Sequence, residues 1–500
     1  MIARMLRQPG DHQHELEFVC IEQLVPADHL VRKIAATIRF QFIRERVAHL
    51  YCADNGRPAL DPVLLFKILF LGYLFGIRSE RRLMAEIEVN LAYRWFLDLG
   101  LGDKVPDHST LSQNRRRRFT GSSIYQDIFD EIVLQAMGHR LIDGRELFSD
   151  STHLKANANK NQFRKEAVAR STRGYLDELE ADVNRDRAAH GKPPLPPASK
   201  EGDDESSSSG GKETRVSTTD PESGYMRREG KPEGFFYLDH RTVDGKANLI
   251  TDTHVTPGNV HDSVPYLDRL DRQRERFGFQ VEAVALDSGY FTAAICHGLE
   301  QRDIYAVIGY TRLPHRPGFF HKREYLYDEH YDCYLCPQNQ VLSYRTTNRD
   351  GFRQYASDPK VCASCPVRAR CTTSKSGVKE VTRHVWQAAK EAIDARRLDP
   401  EGKRLYRRRQ QTVERSFADG KELHGHRYAR MRGLAKMAEQ CLLSAACQNM
   451  KKMALLLTRK GGSGGGLSAL VAGMIPGLAI WSGWRRWLRI ETANGFLAAA

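Results

Sequence analysis

Three acidic residues in this sequence have neighbours of the kind that metal chemistry needs. Asp150 in RELFSDST (145–152) and Asp287 in VEAVALDSGY (281–290) each end an apolar run and precede a serine, and Glu414 lies within the basic stretch TVERSFADGK. In a central parallel sheet, adjacent strands would set the two aspartates side by side, and a helix packed on that sheet would add the glutamate. Three carboxylates of this kind suit a hard divalent cation such as Mg2+ or Mn2+. A pair of such ions about 3.5–4 Å apart activates a water or a 3′-hydroxyl and stabilises the leaving oxygen of a phosphodiester. Taken singly, each acid also has an ordinary reading as a turn residue, a cap or an exposed ion-pair partner. The setting of Glu414 favours the first reading: Arg407, Glu414 and Lys421 recur at intervals of seven, two helical turns each, and share a stripe. The neighbouring stripe of Tyr406, Val413 and Phe417 would hold that helix against a core.

A second constellation is built of cysteines. Cys333-x2-Cys336 and Cys362-x2-Cys365 are followed by Cys371, the spacing of a zinc ribbon in which each pair offers two thiolates to one tetrahedral ion. Cys371 is a substitute for one of the four, and reduced thiols packing a small aromatic subdomain are the alternative to zinc. Beyond Asp150, Lys155, Asn157, Asn159 and Lys160 offer donors to a phosphate backbone or read as a polar turn. Arg115, Arg116, Arg117 and Arg118 read either as phosphate contacts or as a solvated helix. His254 and His261, near strand ends, read either as groups supporting the site or, more commonly for such residues, as structural histidines. No Walker loop and no HExxH occurs in the sequence.

The elements that must position these residues follow from periodicity. Helical spacing over ALDPVLLFKILFLGYLFGI (59–77) and MAEIEVNLAYRWFLDLG (84–100) predicts an all-α N-terminal domain, residues 1–140. From Arg145 the order becomes β, β, β, α, β, α, β, with helices over 260–277 and 292–303. This predicts an α/β catalytic domain, 141–458, whose antiparallel meander passes into parallel strands, with its site at the carboxyl ends of those strands. Two insertions interrupt it. Residues 156–216 hold a charged helix and a stretch, 192–214, too polar to order itself; residues 311–390 are aromatic and cysteine-bearing. A basic helix over 399–422, a core helix over 433–458 and a Gly-rich linker with an apolar tail, 459–500, complete the chain.

Composition narrows the partners. The 500 residues carry 76 Lys and Arg against 62 Asp and Glu, a formal charge of +14, with 41% hydrophobic residues. Collagen-like, mucin-like and largely disordered classes are excluded, and the basic excess points to a polyanion. The opening MIARMLRQPGDHQHELEF lacks the apolar run of a secretory signal, which predicts a cytoplasmic protein. The run 467–484 is broken by Gly473, Pro476, Gly477 and Gly483, which argues against a membrane span.

Together these stretches resemble the DDE transposases of bacterial insertion sequences. The resemblance rests on FSDSTHLKANANK, VALDSGYF and TVERSFADGK, with RPALDPVLLFKILFLGYLFG, PDHSTLSQNRRR, STTDPESG, HVTPGNVHDS and HRYARMRGLAKM in the same order. It covers most of the chain and is closest to the eleven-eighty-two group, which also carries a cysteine-rich insert. It implies a ribonuclease H-like catalytic domain, a mixed five-stranded sheet with helices, in which Asp150, Asp287 and Glu414 are the catalytic, metal-holding acids. It also implies Mg2+-dependent cleavage at terminal inverted repeats, joining to target DNA, a homodimer or larger assembly on DNA, and association with the nucleoid. Lys421 would contact DNA near the cleaved phosphate, and Arg427 in HRYARMRGLAKM would join the DNA-binding set. The family's tyrosine, arginine, glutamate and lysine motif places Arg four before Glu. Here position 410 is Gln, Arg409 lies five before Glu414 and Tyr406 is one step out of register. A ribonuclease H-like nuclease that cuts without joining, and a transposase-derived protein that only binds DNA, are the alternatives.

Overall fold

The expected strand order assembles around one long central strand. The computed structural model describes residues 18–52, 59–167, 175–196, 213–227, 233–310 and 316–461. Most of the polar stretch 192–214, the GGSGGG linker and the apolar run 467–484 lie outside the described residues. In chain order the first strands are β1 (Glu146–Lys155), β2 (Phe163–Ala167), β3 (Glu213–Ser217), β4 (Gly224–Met226), β5 (Gly234–Asp244), β6 (Ile250–Pro257), β7 (Ala283–Leu286) and β8 (Tyr305–Ile308). The main sheet runs β5-β1-β7-β8, with β4 and β6 pairing successive parts of the outer edge of β5. β5 is antiparallel to β1 and β6, while β1, β7 and β8 are parallel. The chain is therefore mixed α/β. All of β5 is buried, as a strand covered on both faces must be.

β1 is longer than RELFSDST suggested. Its alternation continues through His153 and Leu154, and pairing with β5 persists to Lys155↔Phe236. Asp150 therefore lies within β1 and not at its end. The first insertion closes at its base where β2 pairs β3 antiparallel.

The N-terminal helices share the core of the sheet. Helix α1 (Pro62–Leu74) starts where Asp61 accepts a hydrogen bond from Val63 N, and Pro62 takes a position whose amide is spare. Ten of its residues are buried, as befits a helix apolar all round. Helix α2 (Ile124–Gly138) follows. One apolar cluster runs from Val31 and Phe66 through Phe129 and Phe148 to Met450, so the core is continuous across position 140. Helices α4 (Tyr266–Phe277) and α5 (Ala293–Gln301) are the crossovers on either side of β7, after α3 (Leu176–Ala189) in the first insertion. Next come α6 (Gln387–Arg396), α7 (Pro400–Arg409), α8 (Arg415–Leu423) and α9 (Leu434–Gly461). Asn449 pins α9 to the sheet: its Oδ1 accepts from Ile250 N at 2.8 Å and its Nδ2 donates to Ile250 O at 2.7 Å.

The second insertion folds as an antiparallel meander of β9 (Leu326–Asp328), β10 (Cys333–Leu335), β11 (Val341–Thr347), β12 (Phe352–Ser357) and β13 (Glu380–His384). Helix α3 packs on it. Asp186 pairs with Arg353 at 2.6 Å and accepts from Thr347 Oγ1 at 2.5 Å, and Trp386 Nε1 donates to Asp182 at 2.6 Å. The two insertions, remote in sequence, make one unit.

His424, after α8, hydrogen-bonds through Nδ1 to Tyr73 O of α1 at 2.9 Å. Burial pushes its pKa down to about 4 from 6.5. A depressed histidine contributes stability that is present above the unfolded value and is lost as pH falls through the folded one, on the order of 3 kcal/mol here. Between pH 7 and 4 the thermal midpoint of His424→Gln should therefore fall less steeply than that of the parent chain. Parallel slopes would remove His424 from the account.

Candidate active site

Register explains how the two aspartates meet. The parallel ladder of β1 and β7 ends at Ser149↔Leu286, so the next residues in step are Asp150 and Asp287. There β7 stops and the chain turns through Ser288–Tyr290, while β1 continues beside β5 with Arg241 as the partner of Asp150. The site thus sits at the carboxyl end of the parallel strands. Close approach of the chain is required beside it. A Cβ on Gly309, just past β8, would lie 2.6 Å from the Tyr406 hydroxyl and 2.9 Å from Ser288 N, so only glycine fits.

Asp150, Asp287 and Glu414 converge on one cation, the guanidinium of Arg409. Nη1 donates to Asp150 Oδ2 at 2.8 Å, and Nη2 donates to Glu414 Oε1 at 2.6 Å and lies 3.9 Å from Asp287 Oδ1. Arg409 is buried, Asp150 mostly so, while Asp287 and Glu414 are near half exposed. Burial pushes the Asp150 carboxyl up to about 6 despite Arg409 and a hydrogen bond from Ser151 N, and the charge of Asp287 adds to the rise. One guanidinium against three carboxylates leaves negative charge uncompensated. The donor set, all carboxylate oxygens around one point with an opening toward solvent at Asp287 and Glu414, fits a hard divalent cation.

The local helix geometry makes this convergence. Residues 400 to 423 form a run of helix interrupted by a π turn, Gln410–Glu414, between α7 and α8. A π turn adds one residue to the repeat, so positions five apart face the same way, and such turns are frequent at functional sites. Arg409 therefore overlies Glu414 although it is five residues before it, and Tyr406 follows into register, with the Arg409 guanidinium 5.5 Å from its ring centre. The stripe expected from Arg407 through Glu414 is broken by that same residue: Arg407 is exposed, and Arg409 takes the facing position. The signal in the sequence was the misfit itself, an arginine at five where the family has it at four.

Beneath the site a buried polar network locks α8 to β5. Asp239 accepts from Arg241 Nε at 2.8 Å and from Thr253 Oγ1 at 2.6 Å, and bonds His426 Nε2 at 2.8 Å. The Arg241 guanidinium lies 4.9 Å from the ring centre of Phe417 on α8. Burial opposes ionisation of Asp239, yet Arg241 and His426 hold it below the usual carboxylate range. Asp239, His426 and Cys441 bring their donor atoms within 4.8 Å of one another. With Arg241 already supplying the positive charge, this is a structural network and not a metal centre. Sequence reading passed over it, although DHRTVD inside an otherwise apolar strand marks it.

The other expected residues divide. Arg115 turns inward, its Nε 2.6 Å from Glu439 and its Nη1 2.9 Å from Glu80, so its charge is used inside the protein. It begins a second π turn, Arg115–Phe119, which leaves Arg116 and Arg117 exposed. Lys155, Lys160 and Arg427 are exposed, and Lys155 N bonds Arg427 O at 3.2 Å, joining two of the expected cations. Lys421 is half-buried without a hydrogen bond or ion pair among the described residues; burial, then Arg427 and Arg241, lower its pKa. The basic run around Glu414 is mostly self-neutralised: Arg404 and Arg408 both pair with Glu146, and Arg415 pairs with Asp419. His254 is held neutral by burial, with a pKa of about 4, and His261 bonds Ser263. No helix of the described residues is long and apolar enough to cross a membrane.

Comparison with known proteins finds transposase domains in the chain. Residues 19–117 match the transposase domain of the DUF772 family model, and residues 335–454, which include Glu414, match the transposase DDE domain. The chain is a DDE transposase, an enzyme that acts on DNA. No curated protein matches it. Among solved structures it is similar to the piggyBac transposase synaptic complex with hairpin DNA, at 11% identity and a TM-score of 0.34, over 94% of this chain and 86% of that one. It is also similar to the Mos1 transposase paired-end complex with left transposon end, at 12% identity and a TM-score of 0.15, over 51% of this chain and 61% of that one.

Proposed function

We propose that this transposase cuts DNA at the ends of an insertion sequence of the eleven-eighty-two group and joins the 3′-hydroxyls to target DNA. The observation that carries the reading is the convergence of Asp150, Asp287 and Glu414 on one cation position. A sheet in which two antiparallel neighbours precede two parallel ones supports a ribonuclease H-like fold for 141–458. Asp150, Asp287 and Glu414 would hold Mg2+ or Mn2+, which supplies neutralisation of charge and activation of the attacking oxygen in in-line displacement at phosphorus.

The chain's own residues supply geometry and DNA contact. The Asp239 network fixes the helix bearing Glu414, and Lys421, unpaired and half-buried near the acids, is the cation for the phosphate flanking the cleaved bond. Lys155, Lys160, Arg116, Arg117 and Arg427 neutralise backbone further out, with Arg115 serving the fold instead. The helical segment 1–140 reads the terminal inverted repeats, and pairing of two ends implies a homodimer or larger assembly on the nucleoid.

The test is a strand-transfer assay with a labelled duplex carrying the inverted repeat that flanks the gene, a supercoiled target and Mg2+ raised until the product no longer increases. Joined product is expected. Hydrolysed ends without recombinants would make the protein a nuclease, and binding without cleavage would make it a DNA-binding protein only.

A further inference from the structure

The five cysteines of the second insertion do not pair as their spacing suggests. Cys333 and Cys336 are three apart, as are Cys362 and Cys365, yet the two intervals have opposite consequences. Cys333 begins β10. Along a strand, residues an odd number apart point to opposite faces. Cys333 accordingly lines a cleft with His190, Asp328 and Tyr344, away from Cys336. Cys362 lies in the short helix Pro359–Ala363, and Cys365 follows it with Cys365 N bonding Cys362 O at 3.3 Å. Residues three apart on a helical turn share a face. The helix Arg368–Cys371 then returns the chain. The result is a small cavity of about 30 Å³ into which Cys336, Cys362, Cys365 and Cys371 all face.

We propose that this cavity binds one structural zinc ion through Cys336, Cys362, Cys365 and Cys371, with Cys333 outside the set. Four thiolates are the donor set of a closed tetrahedral zinc site, and the cavity has room for a single ion. The backbone is prepared for a thiolate at Cys336. That residue starts the tight β10–β11 turn, where Asn339 takes a φ of 53° and Cys336 N bonds Gln340 O at 2.9 Å. The turn aims two amides at the sulfur, Gln338 N and Gln340 N, each 3.4 Å from Sγ. Such donors to a ligand atom orient it and stabilise its charge. On the far side the Tyr325 hydroxyl lies 3.1 Å from Cys371 Sγ. Arg368 and Lys379 also line the cavity, offsetting the double negative charge that four thiolates leave on a Zn2+ site. The sulfurs stand wider apart than the donor atoms of Asp239, His426 and Cys441, which already lie within 4.8 Å of one another; an ion would draw the cysteines together. There Asp239 is already taken by Arg241 and His426, whereas no guanidinium or carboxylate pairs with the four cysteines among the described residues.

The full chain, purified without chelator, should contain one zinc per chain by mass spectrometry. Cys333→Ser should keep it, and Cys371→Ser should lose at least nine tenths of it. Replacement of zinc by Co2+ gives a readout that does not depend on that variant folding. The parent chain and Cys333→Ser should show the same thiolate charge-transfer band, of an intensity matching four sulfur ligands. A parent chain without metal overturns the proposal, as does loss of zinc or a weakened cobalt band in Cys333→Ser, or full zinc in a folded Cys371→Ser.

Discussion

Asp287→Asn should abolish end cleavage and strand transfer, by about a thousandfold or more, while leaving the fold and DNA affinity intact. The substitution keeps size and hydrogen-bonding capacity and removes only the charge, and a carboxylate that holds a metal cannot be replaced by a neutral amide without loss of the ion. Asp287 is the acid with which this can be shown most cleanly. It is 47% exposed and its nearest Arg409 contact is 3.9 Å, so its neutralisation should move stability by no more than about 0.5 kcal/mol. Asp150 is less suitable because it sits at 2.8 Å from a buried guanidinium. DNA affinity, measured by filter retention across a salt series, should be no weaker than that of the parent chain. The assay is joined product in Mg2+, with the thermal midpoint recorded on the same sample. Activity of Asp287→Asn within threefold of the parent chain would remove the three-acid assignment.

What could be read from the residues and what could not divide along physical lines. The strand order was legible because β-branched and aromatic runs alternate with helical spacing, and β5 with β6 and β7 with β8 are paired neighbours in sequence, although β1 finds its partners in the distant β5 and β7. Asp150 and Asp287 were legible as candidates because each follows an apolar run, and the parallel register then sets them in step. The extra length of β1 was not legible, since STHLK is polar enough for a loop and only pairing with β5 makes it a strand. Arg115 looked like its three neighbours, and its partner Glu439 is more than three hundred residues away. Cys333 and Cys336 form a textual pair, but a strand turns the interval inside out. In each case a tertiary partner decided the outcome, and local pattern carried no trace of it.

Arg409, whose place the misfit spacing did signal, carries the second large effect. Because the π turn stacks it over Glu414 and against Asp150, Arg409→Ala should leave three carboxylates facing one another with nothing between them. Loss of one partner of a buried pair costs about 3 to 5 kcal/mol. Glu414 is 42% exposed and screened by solvent, so the lower end, about 3 kcal/mol in chelator, is expected. Arg409→Lys should recover part of this, since a point charge replaces a fork that reaches two acids at once. Mg2+ should act in the opposite sense. An ion that binds the folded chain stabilises it in proportion to its affinity, and three unpaired carboxylates bind a divalent cation more tightly than three already sharing a guanidinium. Addition of Mg2+ should therefore raise the thermal midpoint of Arg409→Ala more than that of the parent chain. If the two gain equally, or if Arg409→Ala loses nothing in chelator, the guanidinium is not what holds the acids together. Arg409 and the metal answer the same excess of negative charge, so each should weaken the other's hold. On that outcome the arginine would be a stand-in that keeps the acids assembled until a metal binds.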